Sequence, residues 1–166
     1  WRFNNDKLEN IKENEGDKRI KHNTDISTDD AIKFIQRNKE NPFFLYLAYD
    51  APHEPYNMEE TAWYDEEEWD MNTKRYASLV THMDQAIGRL VTELDRLGLR
   101  ENTVIIFASD NGAAKQAPLD VLGCKGTLKG MKGTLYEGGI RVPFIVNQPG
   151  KIDKQKLDNM VYFPDV

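Results

Sequence analysis

Three short stretches of this chain hold side chains that could do chemistry together. Asp50-Ala51-Pro52-His53-Glu54-Pro55 sets one imidazole between two prolines. Proline fixes φ and restricts the residue before it, so the loop holds His53 in one orientation at little further entropic cost, as a general acid or an oxyanion ligand requires. Ser109-Asp110-Asn111-Gly112 offers a charged and a neutral oxygen side by side, and Gly112 permits the tight turn that aims both the same way. Hard oxygen donors of this kind suit Ca²⁺, or Mg²⁺, rather than zinc. From Lys125 to Arg141, lysines alternate with glycines, and Lys132 lies near the middle of this cationic loop. Backbone amides exposed at glycines add to the pull of the lysines on an anion. Taken singly, each stretch has a plain structural reading: a surface loop histidine, an Asp-Asn-Gly turn, a flexible solvated loop. Taken together they have the sign logic of an anion-cleaving site, with a cation and a lysine on a sulfate or phosphate group and a histidine facing the leaving oxygen. No nucleophile accompanies them. Cys124, the single cysteine, has no positioned base nearby in sequence and reads as a partly buried structural residue.

The elements that must position these loops can be read from hydrophobic periodicity. Ser27-Thr28-Asp29-Asp30 supplies an N-cap and an acidic first turn for a helix carrying Ile32, Phe34 and Ile35, which ends before Asn41-Pro42. Residues 42–49 form a continuous apolar run that predicts a strand buried on both faces, leading directly into the His53 loop. An acidic loop follows, Asp65 to Asp70, flanked by Trp63 and Trp69. From Lys74 the apolar residues Tyr76, Leu79, Val80, Met83, Ile87, Leu90, Val91, Leu94 and Leu97 recur at three- and four-residue steps, predicting a long amphipathic helix with Gly98 at its C-terminal cap. His82 beside this stripe and His22 in the polar N-terminal segment read as solvated. Thr103–Ala108 is a second buried strand, ending at Ser109-Asp110, and Pro143–Val146 a shorter third. Ligand sites in open α/β sheets lie outside the carboxyl ends of strands, where both loops fall. Strand, helix, strand in this order predicts an α/β fold, a largely parallel or mixed sheet covered by helices.

Composition bounds the partners. The 166 residues carry 22 Lys+Arg against 28 Asp+Glu, a net charge of −6. That balance lacks the basic face a nucleic-acid backbone requires, so no nucleic-acid partner is expected. One cysteine excludes an internal disulfide and a cysteine-based zinc site. No apolar run is long enough for a transmembrane segment. Residues 1–23, rich in Lys, Glu, Asn and Asp, read as a surface segment or a linker ordered only by something else, with Trp1, Phe3 and Leu8 available to dock on another segment. The chain opens at Trp1 without Met and closes in an apolar stretch at Val166, so it is expected to be one internal slice, 1–166, of a single catalytic domain.

Pro42 to Tyr49 leading into Ala51-Pro52-His53-Glu54-Pro55, then Ser109-Asp110-Asn111-Gly112, then Lys132-Gly133-Thr134-Leu135-Tyr136-Glu137-Gly138-Gly139-Ile140-Arg141-Val142-Pro143 together resemble the formylglycine-dependent sulfatases of the alkaline phosphatase superfamily. The blocks stand in the family's order and cover most of the chain from about Thr24 onward. The stretch holding Asp84, Ile87, Gly88, Arg89 and Leu90 is also similar to the family's helix between the first two blocks. The resemblance implies an alkaline-phosphatase-like domain that hydrolyses sulfuric esters. It implies that Asp110 and Asn111 are ligands of an active-site calcium, that His53 contacts the sulfate or its leaving oxygen, and that Lys132 binds sulfate oxygens and helps protonate the departing alcohol. The family's nucleophile is a cysteine in Cys-x-Pro/Ala-x-Arg oxidised to formylglycine. That motif, its arginine, two metal-binding aspartates and a second lysine-histidine pair are absent from this chain, so the resemblance implies that they lie upstream of Trp1 and that the segment alone is inactive.

The implied substrate is a sulfated small molecule or sulfated carbohydrate, and the implied location is outside the cytoplasm, in a periplasm, a lysosome or the medium. Two other functions use the same residues differently. A phosphodiester or phosphonate hydrolase of the same superfamily has similar anion logic. A non-catalytic carbohydrate- or protein-binding module would present Trp63, Trp69 and the acidic cluster, whose charge repels a sulfated polymer.

Overall fold

The computed structural model describes residues 2–4, 7–15 and 20–165. Its centre is a pair of helices, α1 (Asn23–Asn38) and α2 (Met71–Arg96). α1 starts about a turn before Ser27. The cap is His22, whose side chain accepts from the Thr24 amide, and Ser27 to Asp30 lie inside the helix. Burial explains the shift: Thr24 and Thr28 are fully buried and stay helical, with the Thr28 hydroxyl returned to the Thr24 carbonyl at 2.6 Å. α2 likewise starts at Met71 rather than Lys74. Asp70 caps it, accepting from the Thr73 amide at 2.9 Å and the Thr73 hydroxyl at 3.0 Å. The far end follows the expectation. Gly98, at φ +69°, donates to the Asp95 carbonyl, and Leu99 donates to Leu94, the bond pattern of a Schellman cap.

The two helices pack along a seam that runs from the Asp25–His82 bond to the Gln36–Glu93 bond, and their buried residues are Thr24, Thr28, Ala31 and Ile35 of α1 and Thr73, Ala77, Ser78, Leu79, Ala86 and Leu94 of α2. Ion pairs rim this seam. Arg89 reaches Asp25 and Asp29, and Lys21 also reaches Asp29. Burial works against the Asp29 carboxylate, but the bonds from Lys21 and Arg89 outweigh it and hold its pKa below the usual carboxylate value.

Residues 42–49 depart from the expected strand buried on both faces. They run without a ladder partner among the described residues. Phe43, Leu45, Leu47 and Tyr49 are half-buried, while Phe44 and Tyr46 are 87% and 81% exposed. α1 lies against the inner side of the segment, through an edge-to-face contact of Phe34 with Phe43 and a hydrogen bond of 2.8 Å between Thr28 and Tyr49, while the alternate side chains point to solvent.

β3 (Ile105–Ala108) and β4 (Phe144–Asn147) form an antiparallel pair, Ile105 opposite Asn147 and Ala108 opposite Phe144. One face of this pair is also open, with the paired Ile106 and Val146 both exposed. A four-residue helix, α3 (Glu137–Ile140), sits just before β4. The N-terminal segment is not simply a linker. Its strands β1 (Arg2–Asn4) and β2 (Lys7–Glu9) pair antiparallel, and the Asn14 amide clasps the Lys21 backbone by two reciprocal bonds. The docking expected of Trp1, Phe3 and Leu8 falls on side chains outside the described residues. No helix among the described residues is long and apolar enough to cross a membrane.

Candidate active site

The loop after 42–49 turns sharply, with the His53 amide donating to the Asp50 carbonyl at 2.8 Å and the Asn57 amide to the Pro55 carbonyl at 2.8 Å. Ala51-Pro52 and Glu54-Pro55 are cis peptides. Within this frame the His53 ring uses Nδ1 on the Glu54 carbonyl at 2.7 Å. A carbonyl only accepts, so Nδ1 carries the hydrogen and Nε2 keeps a lone pair. That lone pair meets the Lys132 ammonium: Nζ to Nε2 is 3.1 Å, joining residues 79 apart in sequence. Both side chains are exposed, open to a ligand arriving from solvent.

The glycine-lysine loop is not a flexible solvated strap. It is pinned by backbone contacts too close for any side chain. Gly138 donates to the Lys129 carbonyl at 2.7 Å, and a Cβ on Gly138 would lie 2.4 Å from the Gly130 oxygen. Gly112 donates to the Gly139 carbonyl at 3.0 Å, and a Cβ there would lie 2.0 Å from the Gly138 oxygen. Gly139 is equally confined, against Thr134 and Met131 oxygens at 2.2 and 2.6 Å. The Thr134 hydroxyl adds a side-chain brace, accepting from the Met131 amide at 3.1 Å. Finally, the Lys132 amide donates to the Ala113 carbonyl at 2.9 Å. The Asp110-Asn111 turn and Lys132 therefore belong to one backbone unit, and Lys132 links that unit to His53.

Within the turn, the Ser109 hydroxyl donates to the Asn111 carbonyl at 3.0 Å, and the Asn111 side-chain NH₂ donates to the Gly112 carbonyl at 2.8 Å. This orients the amide with Oδ1 unspent. Asp110 is exposed, and no hydrogen bond or ion pair engages its carboxylate among the described residues. Two hard oxygen donors thus stand unengaged on adjacent residues, a donor set that fits Ca²⁺ or Mg²⁺. Two residues do not complete a site for an ion taking about 6 to 8 oxygens. No cluster of three or more His, Cys, Asp or Glu suited to a metal occurs among the described residues.

The remaining candidates lie elsewhere. Cys124 is half-buried, its Sγ 3.7 Å from the Pro118 carbonyl. It is also a neighbour of Tyr76, whose hydroxyl pKa is pushed up to about 12, mainly by burial and then by this thiol. Trp69 lies against Tyr64, with ring centroids 5.4 Å apart, and Tyr64 bonds Thr81, so only Trp63 of the expected aromatic surface stands free at the acidic turn. His22 and His82 are not simply solvated. Their rings meet edge to face at 5.4 Å, and His82 Nε2 is 3.1 Å from Asp25. The signal for this was present in the sequence, since His82 lies four residues from both Ser78 and Ala86 and so on the face α2 buries.

Comparison with known proteins identifies the family. The sulfatase family model matches residues 3–165, so the chain belongs to the sulfatase family. Among curated relatives it is 34% identical over 142 residues to an uncharacterized sulfatase, YdeN, of Escherichia coli K12, covering 83% of this chain and 25% of the relative. It is 36% identical over 134 residues to the N-acetylgalactosamine-6-sulfatase of Mus musculus, covering 78% and 24%, and 37% identical over 150 residues to human steryl-sulfatase, covering 84% and 24%. The chain therefore spans about a quarter of the length of these relatives. The α/β architecture is also that of a solved structure of Ps i-CgsB in complex with k-i-k-neocarrahexaose, at TM-score 0.70 and 37% identity, covering 80% of this chain and 29% of that one.

Proposed function

We propose that this chain is the part of a sulfuric ester hydrolase that receives the sulfate group and protonates the leaving alcohol. The contact of 3.1 Å between His53 and Lys132, on the backbone unit that also carries Asp110 and Asn111, supports this reading most directly. Lys132 places a positive charge where a sulfate oxygen would lie. Because His53 is held as the Nδ1–H tautomer, its Nε2 and the Lys132 ammonium share one mobile proton. As the S–O bond breaks, its electron pair stays on the ester oxygen, and that oxygen takes the shared proton. Asp110 and Asn111 would hold Ca²⁺, or Mg²⁺, with further ligands from outside this chain. When bound, the cation neutralises sulfate charge, and the formylglycine that the resemblance implies supplies the attack on sulfur.

A nucleophile outside the chain means that the 166 residues alone are inactive and act within a larger catalytic domain. Sulfated carbohydrates and small sulfate esters are the substrate class, and an exported location accords with it. In the full-length protein, His53→Ala and Lys132→Ala are expected to lower kcat on an aryl sulfate by about 10²-fold or more each. Asp110→Ala is expected to lower Ca²⁺ affinity. Faster turnover of a phosphodiester than of the sulfate, or full activity after His53→Ala, would overturn the reading.

A further inference from the structure

The place where α1, α2 and the His53 loop meet has no part in the chemistry above, yet its bonds converge on one residue. We propose that Asp50 is a positioning residue that ties the His53 loop to the first turn of α1, so that this helix sets the direction of the imidazole. The inference rests on the role given to His53.

Asp50 is bound at both of its ends. Its carbonyl accepts from the His53 amide at 2.8 Å, and its carboxylate accepts from the Asn23 side-chain NH₂ at 3.1 Å. The neighbouring Tyr49 is fixed to the same helix. The one hydrogen of the Thr28 hydroxyl goes to the Thr24 carbonyl, so the Tyr49 hydroxyl donates to Thr28. Two consecutive loop residues thus grip α1 at positions 23 and 28, one of them fully buried. The His53 ring needs this support. It is exposed, and among the described residues its own bonds go only to the adjacent Glu54 carbonyl and to Lys132, a long flexible side chain. Its direction therefore follows from the backbone of residues 50–54, whose fixed end is Asp50.

The Asp50 carboxylate, bound to Asn23, also acts electrostatically on the adjacent His22, the cap of α1. Around His22 stand Asp25 on α1 and His82 on α2, with Arg89 of α2 bound to Asp25 and Asp29, and Lys21 bound to Asp29.

The test uses the full-length protein, with kcat and KM measured on an aryl sulfate across pH and the His53 tautomer read by ring-nitrogen NMR. Asp50→Ala is expected to lower kcat about tenfold with little change in KM, since misplaced catalytic groups cost rate rather than binding. The same variant should turn the single Nδ1–H tautomer of His53 into a mixture. Asn23→Ala should match it, the double variant should be no slower than either single one, and Asp50→Asn, which keeps an acceptor for Asn23, should restore kcat to within about twofold of the unaltered protein. Unchanged kcat and an unchanged tautomer in Asp50→Ala, or no rescue by Asp50→Asn, would overturn the proposal. Should Asp50→Ala not fold, Asn23→Ala at the exposed helix end decides in its place. Full turnover in His53→Ala would sink the functional reading instead, and the tautomer measurement would still decide whether Asp50 holds the ring.

Discussion

His22 accepts a hydrogen bond at Nδ1 only while that nitrogen is unprotonated, and it stands against a second imidazole. Its pKa is lowered below 6.5, first by burial and then by His82, with Asp50 and Asp25 opposing. The sign of the linkage follows: the unfolded chain takes the proton more readily than the folded one, so the stabilisation is present above about pH 6.5 and is lost as pH falls through the lower folded value. A melting temperature that declines as pH drops below about 6.5 is expected. His22→Asn, which keeps a capping oxygen but does not titrate, should flatten that decline, and an unaltered pH profile of Tm in this variant would refute the assignment.

At the scale of elements, the decisive ties are made by backbone. Gly138→Ala would force a Cβ to within 2.4 Å of the Gly130 oxygen, with no side chain there to move aside. A loss of about 3 kcal/mol or more is expected in denaturant titration, with loss of turnover, because Lys132 and the Asp110-Asn111 turn share the unit that must shift. Gly88 is the control. It lies in α2 with nothing within 4 Å of the place a methyl group would take, so Gly88→Ala should stabilise by up to about 1 kcal/mol. The same contrast explains what could be read from the sequence. The last turn of α2 was legible because Gly98 and the residues around it form a local cap, and the site loops were legible because Pro, Gly and charge cluster there. The starts of both helices were not, since Asp70 was hidden in an acidic run and His22 is an uncommon cap. Nor was the open side of 42–49 legible, because an apolar run shows what a segment can bury and not what is present to bury it. The tie from Asp50 to Asn23 spans 27 residues and has no sequence signature at all.

For the whole molecule, the accessible surface of 12528 Å² can be set against about 8,400 Å² for a compact monomer of this mass. The excess, about 4,000 Å² on this chain alone, is as large as an obligate interface counted over both partners. It includes Phe44 and Tyr46 on the outward side of 42–49, and Ile106 and Val146 on one face of the β3–β4 pair. Expressed by itself, the 166-residue segment is therefore expected to bind a hydrophobic dye and to self-associate in light scattering. Paired Phe44→Ser and Tyr46→Ser changes should reduce both in the segment while destabilising the full-length protein. A monodisperse segment that binds no dye would show that this face needs no cover.

The contact between His53 and Lys132 also bears on the order in which the molecule assembles. Closing a loop of 79 residues costs about 4 kcal/mol of chain entropy, whereas one exposed hydrogen bond to a charged group returns about 2 kcal/mol. The pair cannot draw its own loops together. α1 must first dock on α2, the glycine contacts must lock the second loop, and the bond then forms across a gap already closed. The pair is thus expected to be the last part to form and the first to open, with protection of backbone amides against hydrogen exchange lost around His53 before it is lost in α2.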